Sequence, residues 1–438
     1  MIIKRLPEGR PRSPDPPSGG RTGSRRLRAG RYRARGWRRI VAAPVLTLGV
    51  CAAAPGDPAL PVAGSEPFVA ASSIGHGDVS EVGTDQETRG AQATGTRGLP
   101  PVRAVRDGCG VSGLLVPLCG AWWGVAPAAH TDQPRDSALV EFEEKIGRNV
   151  DIFHSYHRGA DLFPTPEERA IARDPDGRRI LLISWKPSTD RSWAEVAEGD
   201  PAVDRHIDRL AEHIKKTFPE RFFLSLHHEP ENDVQPEKGS GYTAADYRAM
   251  FRHVVQRLRD QGVTNMVTVM TYMGAPKWGA QPWFSDLYPG NDVVDWVAYD
   301  AYGGTSTPRF ADVVNKRLDA YPDWPGFYRW VEKEIPGKPL MLAEWGVFED
   351  EEKPGHKPKI FRDAAETIHY FPRIKALVYF DTPNGSRGDS RVDTTENSLV
   401  AYRDLSSRVY FDPGPVFALL NGLTGVSHGS PSNDPVSR

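Results

Sequence analysis

The strongest constraint in this sequence is an alternation, repeated eight times, of short apolar runs with amphipathic segments. The runs are almost continuously apolar, which is typical of strands buried on both faces of a parallel sheet. They occupy residues 118–124, 149–154, 179–185, 222–229, 266–272, 293–299, 340–344 and 376–380. Eight strand–helix units of this kind predict a (β/α)8 TIM barrel over residues 114–425.

Two of the intervening segments show helical periodicity most clearly. Ile207, Leu210 and Ile214 form a stripe ahead of the fourth run, and a longer stripe follows Thr243-Ala-Ala-Asp246, which has the spacing of a capping box. An open doubly wound sheet is the alternative. However, no Gly-x-Gly-x-x-Gly turn follows the first run and no phosphate-binding loop is present in the sequence. The pattern therefore favours the closed barrel.

The first 113 residues differ in amino-acid composition from the predicted barrel. Residues 1–54 combine a basic lead with an apolar stretch over 40–54, which is typical of an export signal and is short for a membrane span. Residues 55–113 are rich in small and polar residues and predict a disordered linker, and 426–438 predict a disordered tail. We therefore expect a secreted or envelope-associated protein without stable membrane insertion. A disordered basic tail with a chance apolar run is the alternative.

Cysteine and charge usage narrow the function classes. Cys51 follows Leu48-Gly-Val, a weak match to a lipoprotein box, whereas Cys109 and Cys119 lie at the start of the folded part and either form a disulfide or pack unpaired. Residues 1–40 carry 13 Lys and Arg against 2 Asp and Glu, so the rest of the chain carries −13 within a formal net charge of −2. An acidic body disfavours nucleic acid as a partner. We also expect a monomer with no cofactor and no metal.

Two of the eight runs end in a glutamate that precedes polar or glycine-containing sequence. Glu229 ends Phe-Phe-Leu-Ser-Leu-His-His-Glu, and Glu344 ends Leu-Met-Leu-Ala-Glu before Trp-Gly. In a parallel barrel both carboxylates would lie at the rim where the strands end, which is where barrel enzymes keep their catalytic groups. The fourth and seventh strands therefore predict a paired-carboxylate site.

Paired carboxyl groups cleave glycosidic bonds. One protonates the leaving oxygen, and the other attacks the sugar or activates water; a separation of about 5–5.5 Å gives retention of configuration. Side chains on the fourth and seventh strands approach each other across the barrel mouth, which favours the shorter distance. We assign Glu229 as the acid/base and Glu344 as the nucleophile of a retaining glycoside hydrolase that acts on polysaccharide.

Further side chains near the predicted strand ends suit a glycan cleft. Aromatic rings stack on the apolar faces of sugars, and polar groups bind their hydroxyls. The aromatic candidates are Trp122, Trp123, Trp185, Trp345 and Phe380, and the polar candidates are His154, His157 and Asp300. Core packing is the alternative for each ring. The neighbours His227 and His228 also raise the alternative of metal ligation, but no third ligand follows at helical spacing.

The motifs together resemble glycoside hydrolase family 26. The resemblance rests on the His228-Glu229 pair, the segment Val-Asp-Trp-Val-Ala-Tyr-Asp-Ala-Tyr302 and the segment Ala-Glu344-Trp-Gly, and it covers about the last three hundred residues. It implies a retaining barrel enzyme with Glu229 as acid/base, Glu344 as nucleophile, His228 hydrogen-bonded to the acid/base, and Tyr302 orienting the nucleophile. Its members include β-mannanases, β-1,3-xylanases and mixed-linkage glucanases, so a β-mannan-like substrate is expected.

The chain departs from the mannanase pattern beside the acid/base. An Arg-Pro pair before His-Glu and an Asn-Gly-x-Trp loop after it are replaced by Leu224-Ser-Leu-His227 and Pro230-Glu-Asn-Asp233. These residues help to form sugar subsites in the family, so the identity of the sugar is open. A transglycosylase and a catalytically silent barrel that binds cell-surface polysaccharide are the alternative functions.

Overall fold

A closed barrel of eight parallel strands, joined in sequence order, forms the body of the protein. The computed structural model describes residues 109–385 and 388–414. The strands are β1 (Trp122–Pro127), β2 (Ile152–Arg158), β3 (Ile180–Lys186), β4 (Phe222–Leu226), β5 (Met266–Tyr272), β6 (Trp296–Gly303), β7 (Leu340–Val347) and β8 (Ile374–Asp381). The (β/α)8 prediction is confirmed.

Helices follow the strands and cover the outside of the barrel. They are α1 (Arg135–Ile146), α2 (Pro166–Ala172), α3 (Trp193–Ala197), α4 (Pro201–Thr217), α5 (Ala244–Asp260), α6 (Pro276–Gly279), α7 (Phe310–Val314), α8 (Phe327–Glu334), α9 (His356–Thr367) and α10 (Glu396–Ser406). Short 3-10 turns occupy Pro230–Asn232, Phe284–Leu287, Ile368–Tyr370 and Val409–Phe411. The predicted capping box starts α5, where the Thr243 side chain accepts from the Asp246 N–H, and both predicted apolar stripes are buried.

Alternation along the strands separates two apolar layers. One side chain set fills the lower barrel interior, including Trp122, Phe223 and Trp296, and the other set packs between the strands and the helices. The lower interior is closed by Leu115, which is fully buried among these rings. The indole N–H groups of Trp122 and Trp296 donate to the carbonyls of Leu115 and Leu114, both at 2.7 Å. The segment before β1 therefore plugs the bottom of the barrel.

A disulfide between Cys109 and Cys119 closes this plug into a loop. Residues 109–113, which the sequence assigned to the linker, therefore belong to the folded body. The predicted segment 1–54, the linker up to residue 108 and the tail 426–438 lie outside the described residues, as does Cys51. Among the helices of the described part, none combines the length and apolarity needed to cross a bilayer.

Strand boundaries differ from the predicted runs at β1. The run predicted at residues 118–124 starts and ends earlier than the strand itself, which begins at Trp122 and continues to Pro127. Trp122 and Trp123 therefore lie at the start of the strand, at the bottom of the barrel, and not at the catalytic rim.

Candidate active site

Glu229 lies directly after β4 in a strained turn at the rim. Both His227 and Glu229 have positive φ angles, 46° and 53°, in the left-handed region that non-glycine residues rarely adopt. The Glu229 N–H donates to the carbonyl of Thr271 on β5 at 3.0 Å, and the Asn232 side-chain amide donates to the Glu229 carboxyl at 2.9 Å. These contacts fix the carboxyl group above the barrel mouth, where backbone strain commonly accompanies function.

The surroundings of Glu229 favour its protonated form. Burial, followed by the charges of Glu344 and Glu231, raises its pKa to about 8. A carboxyl group with this pKa carries a proton at neutral pH and can donate it. Glu229 therefore has the protonation state of a general acid.

Glu344 is held by two tyrosine hydroxyl groups from opposite sides of the barrel. Tyr156 on β2 donates to one carboxyl oxygen and Tyr302 on β6 donates to the other, each at 2.7 Å. Burial raises the pKa of Glu344 above its ordinary value, and the two tyrosine hydrogen bonds oppose that rise. Two donors to the two oxygens stabilise the carboxylate and fix its plane. Tyr302 therefore contacts Glu344 directly, and its role in orienting a nucleophile stays a prediction.

A break in the strand register brings Glu344 into the cavity. Met341 and Ala343 of β7 face the barrel interior, so strict alternation would point Trp345 inward and Glu344 outward. The register with β6 instead shifts at Tyr299 and Asp300, and the register with β8 shifts between Leu342 and Trp345. This irregularity re-aims Glu344 to the inside, as β-bulges beside active sites do.

Two cavities meet at the paired carboxyl groups. The aromatic cavity, about 270 Å³, lies over β5 to β8 and includes Tyr302, Phe348 and Phe380. The basic cavity, about 530 Å³, lies over β2 to β4 and includes Arg135, Arg158 and Lys186. Both are lined by His130, Glu229, Glu344 and Phe380. The two glutamates therefore sit where one groove passes from an aromatic half to a charged half.

Tyr156 and His130 are site residues that the sequence analysis missed. The second predicted run ended at His154, but β2 continues to Arg158, and Tyr156 lies two residues further on the same face. Extending that run would have revealed it. His130 belongs to the loop after β1, packs against Phe380 with ring centroids 5.4 Å apart, and has φ of 59°. No local sequence pattern places this loop over the groove.

Two of the polar candidates, His154 and His157, are hydrogen-bonded to other protein groups. His154 is 1% exposed and lies beneath Tyr156, hydrogen-bonded to its hydroxyl at 3.2 Å and to Ser184 at 2.9 Å. It supports the ring that holds Glu344 and does not reach the cavity surface. His157 faces the basic cavity and pairs with Glu168 at 2.8 Å.

His228 and Asp300 both line the groove. Within the described residues His228 makes no hydrogen bond to Glu229; its ring lies 5.6 Å from that of Tyr156, and burial, followed by the charge of Lys186, lowers its pKa to about 3. Asp300 is 5% exposed, and burial together with the charges of Glu344 and Glu229 raises its pKa well above the usual range. Burial therefore favours the neutral form of both side chains, the free imidazole of His228 and the acid form of Asp300.

The expected rim of tryptophans is wrong. Trp122, Trp123, Trp185 and Trp345 are fully buried, and none of them lines either half of the groove. Trp122 fills the barrel bottom, whereas Trp123, Trp185 and Trp345 point outward between strands and helices. The physical reason is alternation: the residue beside an inward-facing side chain faces the helices. Phe380 is the ring of that set which does line the groove.

Other groups around Glu229 complete the site. Glu231 is fully buried and accepts from the backbone N–H groups of Met273 and Gly274 at 3.0 and 3.2 Å; burial raises its pKa to about 7. Asp233 binds His227 at 2.7 Å and Lys186 at 3.0 Å. No cluster of three or more His, Cys, Asp or Glu side chains suited to a metal ion occurs in residues 109–385 and 388–414.

Comparison with known proteins adds one sequence relative. No protein-family model matches the chain. Endoglucanase H of Acetivibrio thermocellus is 27% identical over 304 residues, which cover 67% of this chain and 30% of that protein. This chain is similar to an endoglucanase. The aligned region spans less than a third of the relative's length.

Solved structures that share the barrel include several named as family 26 mannanases. A ruminal endo-β-1,4-mannanase of that family is 14% identical, with 66% of this chain and 64% of that chain covered and a TM-score of 0.46. A Bacillus subtilis mannanase is 12% identical, with 66% and 85% covered and a TM-score of 0.46. A mannanase from a symbiotic protist of the termite Reticulitermes speratus, complexed with gluco-manno-oligosaccharide, is 13% identical, with 66% and 87% covered and a TM-score of 0.43.

Proposed function

We propose that the protein is a retaining glycoside hydrolase that cleaves a β-linked polysaccharide, with Glu229 as acid/base and Glu344 as nucleophile. The observation that carries the proposal is the pair itself. One groove is lined by a carboxyl group whose pKa is raised to about 8 and by a second carboxyl group that accepts two tyrosine hydroxyl hydrogen bonds. Glycosidases need one protonated and one ionised carboxyl group, and different surroundings supply them here.

The proposed reaction follows two displacements. Glu344 attacks the anomeric carbon while Glu229 donates its proton to the leaving oxygen, so the glycosidic bond breaks as a glycosyl ester forms. Glu229, now ionised, takes a proton from water, and the resulting attack releases the sugar and restores both carboxyl groups. The charge of Glu344 contributes to the raised pKa of Glu229, so neutralising Glu344 in the ester lowers that pKa at the step where a base is needed.

The groove also supports internal cleavage of a chain. The aromatic and basic cavities lie on opposite sides of the two glutamates and share their lining, so sugar residues can be accommodated on both sides of the scissile bond. An enzyme that removes terminal residues instead requires one side to be closed. We propose endo action on a β-mannan-like or glucan polymer, because the sequence relative is named an endoglucanase and the motifs resemble a family that includes mannanases.

The decisive experiment compares the parent with Glu344→Gln on a panel of soluble polysaccharides: mannan, galactomannan, β-1,3-xylan, mixed-linkage glucan, arabinan and galactan. Oligosaccharides should appear from one polymer and fall at least ~10³-fold in the variant. The matched control is Glu332→Gln, a partly exposed glutamate of α8 that pairs with Arg329; this variant should cleave like the parent. Full activity of Glu344→Gln would remove Glu344 from the mechanism.

The products distinguish the remaining alternatives. Proton NMR of the first reducing ends should show the anomer with retained configuration, and the inverted anomer would contradict the double displacement. Oligosaccharides longer than the substrate would identify a transglycosylase. Tight binding without any product, even from activated aryl glycosides, would favour a glycan-binding barrel.

We also propose that the protein is exported, from the basic lead and apolar stretch in residues 1–54, which lie outside the described residues. Mass analysis of the mature protein from culture fractions tests this. A chain retained in the cells with its first 54 residues intact would contradict export. A lipid-sized mass increase at Cys51 would identify an anchor in place of simple cleavage.

A further inference from the structure

The basic half of the groove continues beyond the catalytic pair. A third cavity, about 520 Å³, is bordered by Trp193, His227 and Tyr242, and it shares Arg158 and Lys186 with the basic cavity. These two cations therefore stand at the junction of the basic cavity with the distal cavity, as we name the third one. A polysaccharide that occupies the active site and extends over β2 to β4 passes them.

Arg158, the last residue of β2, presents an uncommitted guanidinium group to this junction. Its side chain is exposed and makes neither a hydrogen bond nor an ion pair within residues 109–385 and 388–414. The nearby carboxylate of Asp161 accepts from the Arg158 backbone N–H at 2.9 Å. A guanidinium group has five N–H donors, so Arg158 has its full capacity available for a ligand.

Arg135 reaches the same cavity from α1. One of its N–H groups donates to the carbonyl of His154 at 3.1 Å, and its guanidinium group lies among Tyr156, Glu167 and Glu168. Burial nevertheless lowers its pKa, because these neighbours do not offset the loss of water. Arg135 therefore places a second guanidinium group in the cavity wall, beside Glu167 and Glu168.

The carboxylates of this wall are mostly committed to other partners. Glu168 accepts from the Thr165 N–H and binds His157 and Ser155, and Asp233 binds His227 and Lys186. Glu167 is exposed at the edge beside Arg135. These carboxylates are thus either hydrogen-bonded to protein groups or located at the edge of the cavity. The guanidinium N–H groups of Arg158, by contrast, have no protein acceptor within the described residues. An added anion would fit here, whereas the aromatic half offers apolar rings.

We infer that the junction formed by Arg158, Lys186 and Arg135 is a subsite for a sugar residue that bears a carboxylate, so that the preferred substrate is a polysaccharide containing uronic acid. The planar guanidinium fork of Arg158 matches a carboxylate in two parallel hydrogen bonds. Lys186, which also pairs with Asp233 at 3.0 Å, adds a second cation at the junction, and Arg135 lines the same cavity. This inference rests on the proposed hydrolase function and names the substrate class of the same groove.

The test uses a matched pair of polymers. The hexose polysaccharide that the panel identifies (mannan, galactomannan, mixed-linkage glucan or galactan) is partially oxidised at C6, which converts some hydroxymethyl groups to carboxylates without changing the linkage. We expect kcat/KM for the oxidised polymer to exceed that for the parent polymer by about tenfold at low salt. The advantage should shrink as ionic strength rises, because exposed charges are screened. The oligosaccharides released should carry uronic acid at one fixed position from the cleaved end.

Arg158→Gln isolates the subsite. The ratio of kcat/KM between oxidised and parent polymer should fall towards one, and a thermal melt verifies that the variant is folded. Arg329→Gln removes an exposed arginine of α8 on another face and should keep the tenfold ratio. A ratio near one for the unmodified enzyme, or a ratio unchanged by Arg158→Gln, overturns the subsite while leaving the hydrolase proposal in place.

A binding measurement separates failure of the subsite from failure of the hydrolase proposal. If no polymer is cleaved, calorimetry with C6-oxidised cello- and manno-oligosaccharides tests recognition directly in the Glu344→Gln protein. Binding that is stronger than that of the neutral oligosaccharides and is lost with Arg158→Gln supports the subsite without catalysis. Equal binding of oxidised and neutral oligosaccharides overturns it.

Discussion

The two ends of the barrel differ in almost every physical respect. At the bottom, Leu115 fills an interior of apolar rings, the indole N–H groups are paired with backbone carbonyls, and a disulfide closes the plug. At the top, Glu229 and Asp300 have raised pKa values, and Arg158 keeps its donors free within the described chain. The buried titratable groups at the top lower the stability of the fold, whereas the apolar side chains packed at the bottom raise it. Changes at the bottom should therefore alter unfolding, and changes at the top should alter turnover.

Truncating the Leu115 side chain at the bottom of the barrel should produce the largest change in the free energy of unfolding. Leu115→Ala removes a fully buried side chain from the interior and leaves a cavity, so we expect the free energy of unfolding to fall by about 2–5 kcal/mol. Denaturant unfolding measures this change. The matched control is Leu318→Ala, at an exposed leucine, which should cost little. A loss of kcat in Leu115→Ala at temperatures where it stays folded would show that the two ends are coupled.

Opening the plug disulfide should have the next largest effect. Cys109→Ser with Cys119→Ser frees a loop of separation 10, so we expect a loss of about 2–3 kcal/mol in unfolding free energy. Reduction of the unmodified protein should lower its melting temperature similarly and leave that of the double variant unchanged. Equal kcat/KM in oxidised and reduced protein is expected, because the bridge lies away from the groove. A reduced protein that melts like the oxidised one would contradict a stabilising role.

Substitutions at Tyr156 and Tyr302 probe the hydrogen bonds to Glu344 at the top of the barrel, one from each half of the groove. Tyr156→Phe and Tyr302→Phe each remove one donor to Glu344, and a hydrogen bond to a charged group contributes about 1.5–3 kcal/mol. We expect kcat to fall about 10- to 100-fold in each variant. The acidic limb of the pH profile should move to higher pH, because each lost donor had lowered the pKa of Glu344. Tyr370→Phe, at an exposed ring, is the control.

The smallest effect is expected at Asn232, whose side-chain amide donates to the Glu229 carboxyl group. kcat/KM should decline as pH rises through about 8, because Glu229 then loses the proton that it donates. Asn232→Ala removes a donor that lowers the pKa of Glu229, so this alkaline limb should move to higher pH. Asn291→Ala, at an exposed position far along the chain, should leave the limb in place. A shift of the limb to lower pH in Asn232→Ala would contradict Glu229 as the acid.

Much of the fold and the central pair could be predicted because their signals are local. Eight apolar runs spaced by helical segments specified the barrel, and Glu229 and Glu344 could be chosen because each ends a run. Local residue spacing also predicted the capping box at Thr243 and the buried stripes of α4 and α5. The tryptophans were misjudged because a run of apolar residues does not reveal where a strand begins or which face a residue takes.

The sequence by itself determined that eight parallel strands form and that two of them deliver a glutamate to the rim. Only the tertiary structure decided which side chains meet there. The register shift at Ala343 turns Glu344 inward, and barrel closure brings Tyr156, Tyr302 and His130 to it from different strands and loops. The reason is that periodicity is encoded in adjacent residues, whereas a register shift and the convergence of distant loops depend on packing between strands far apart in the chain.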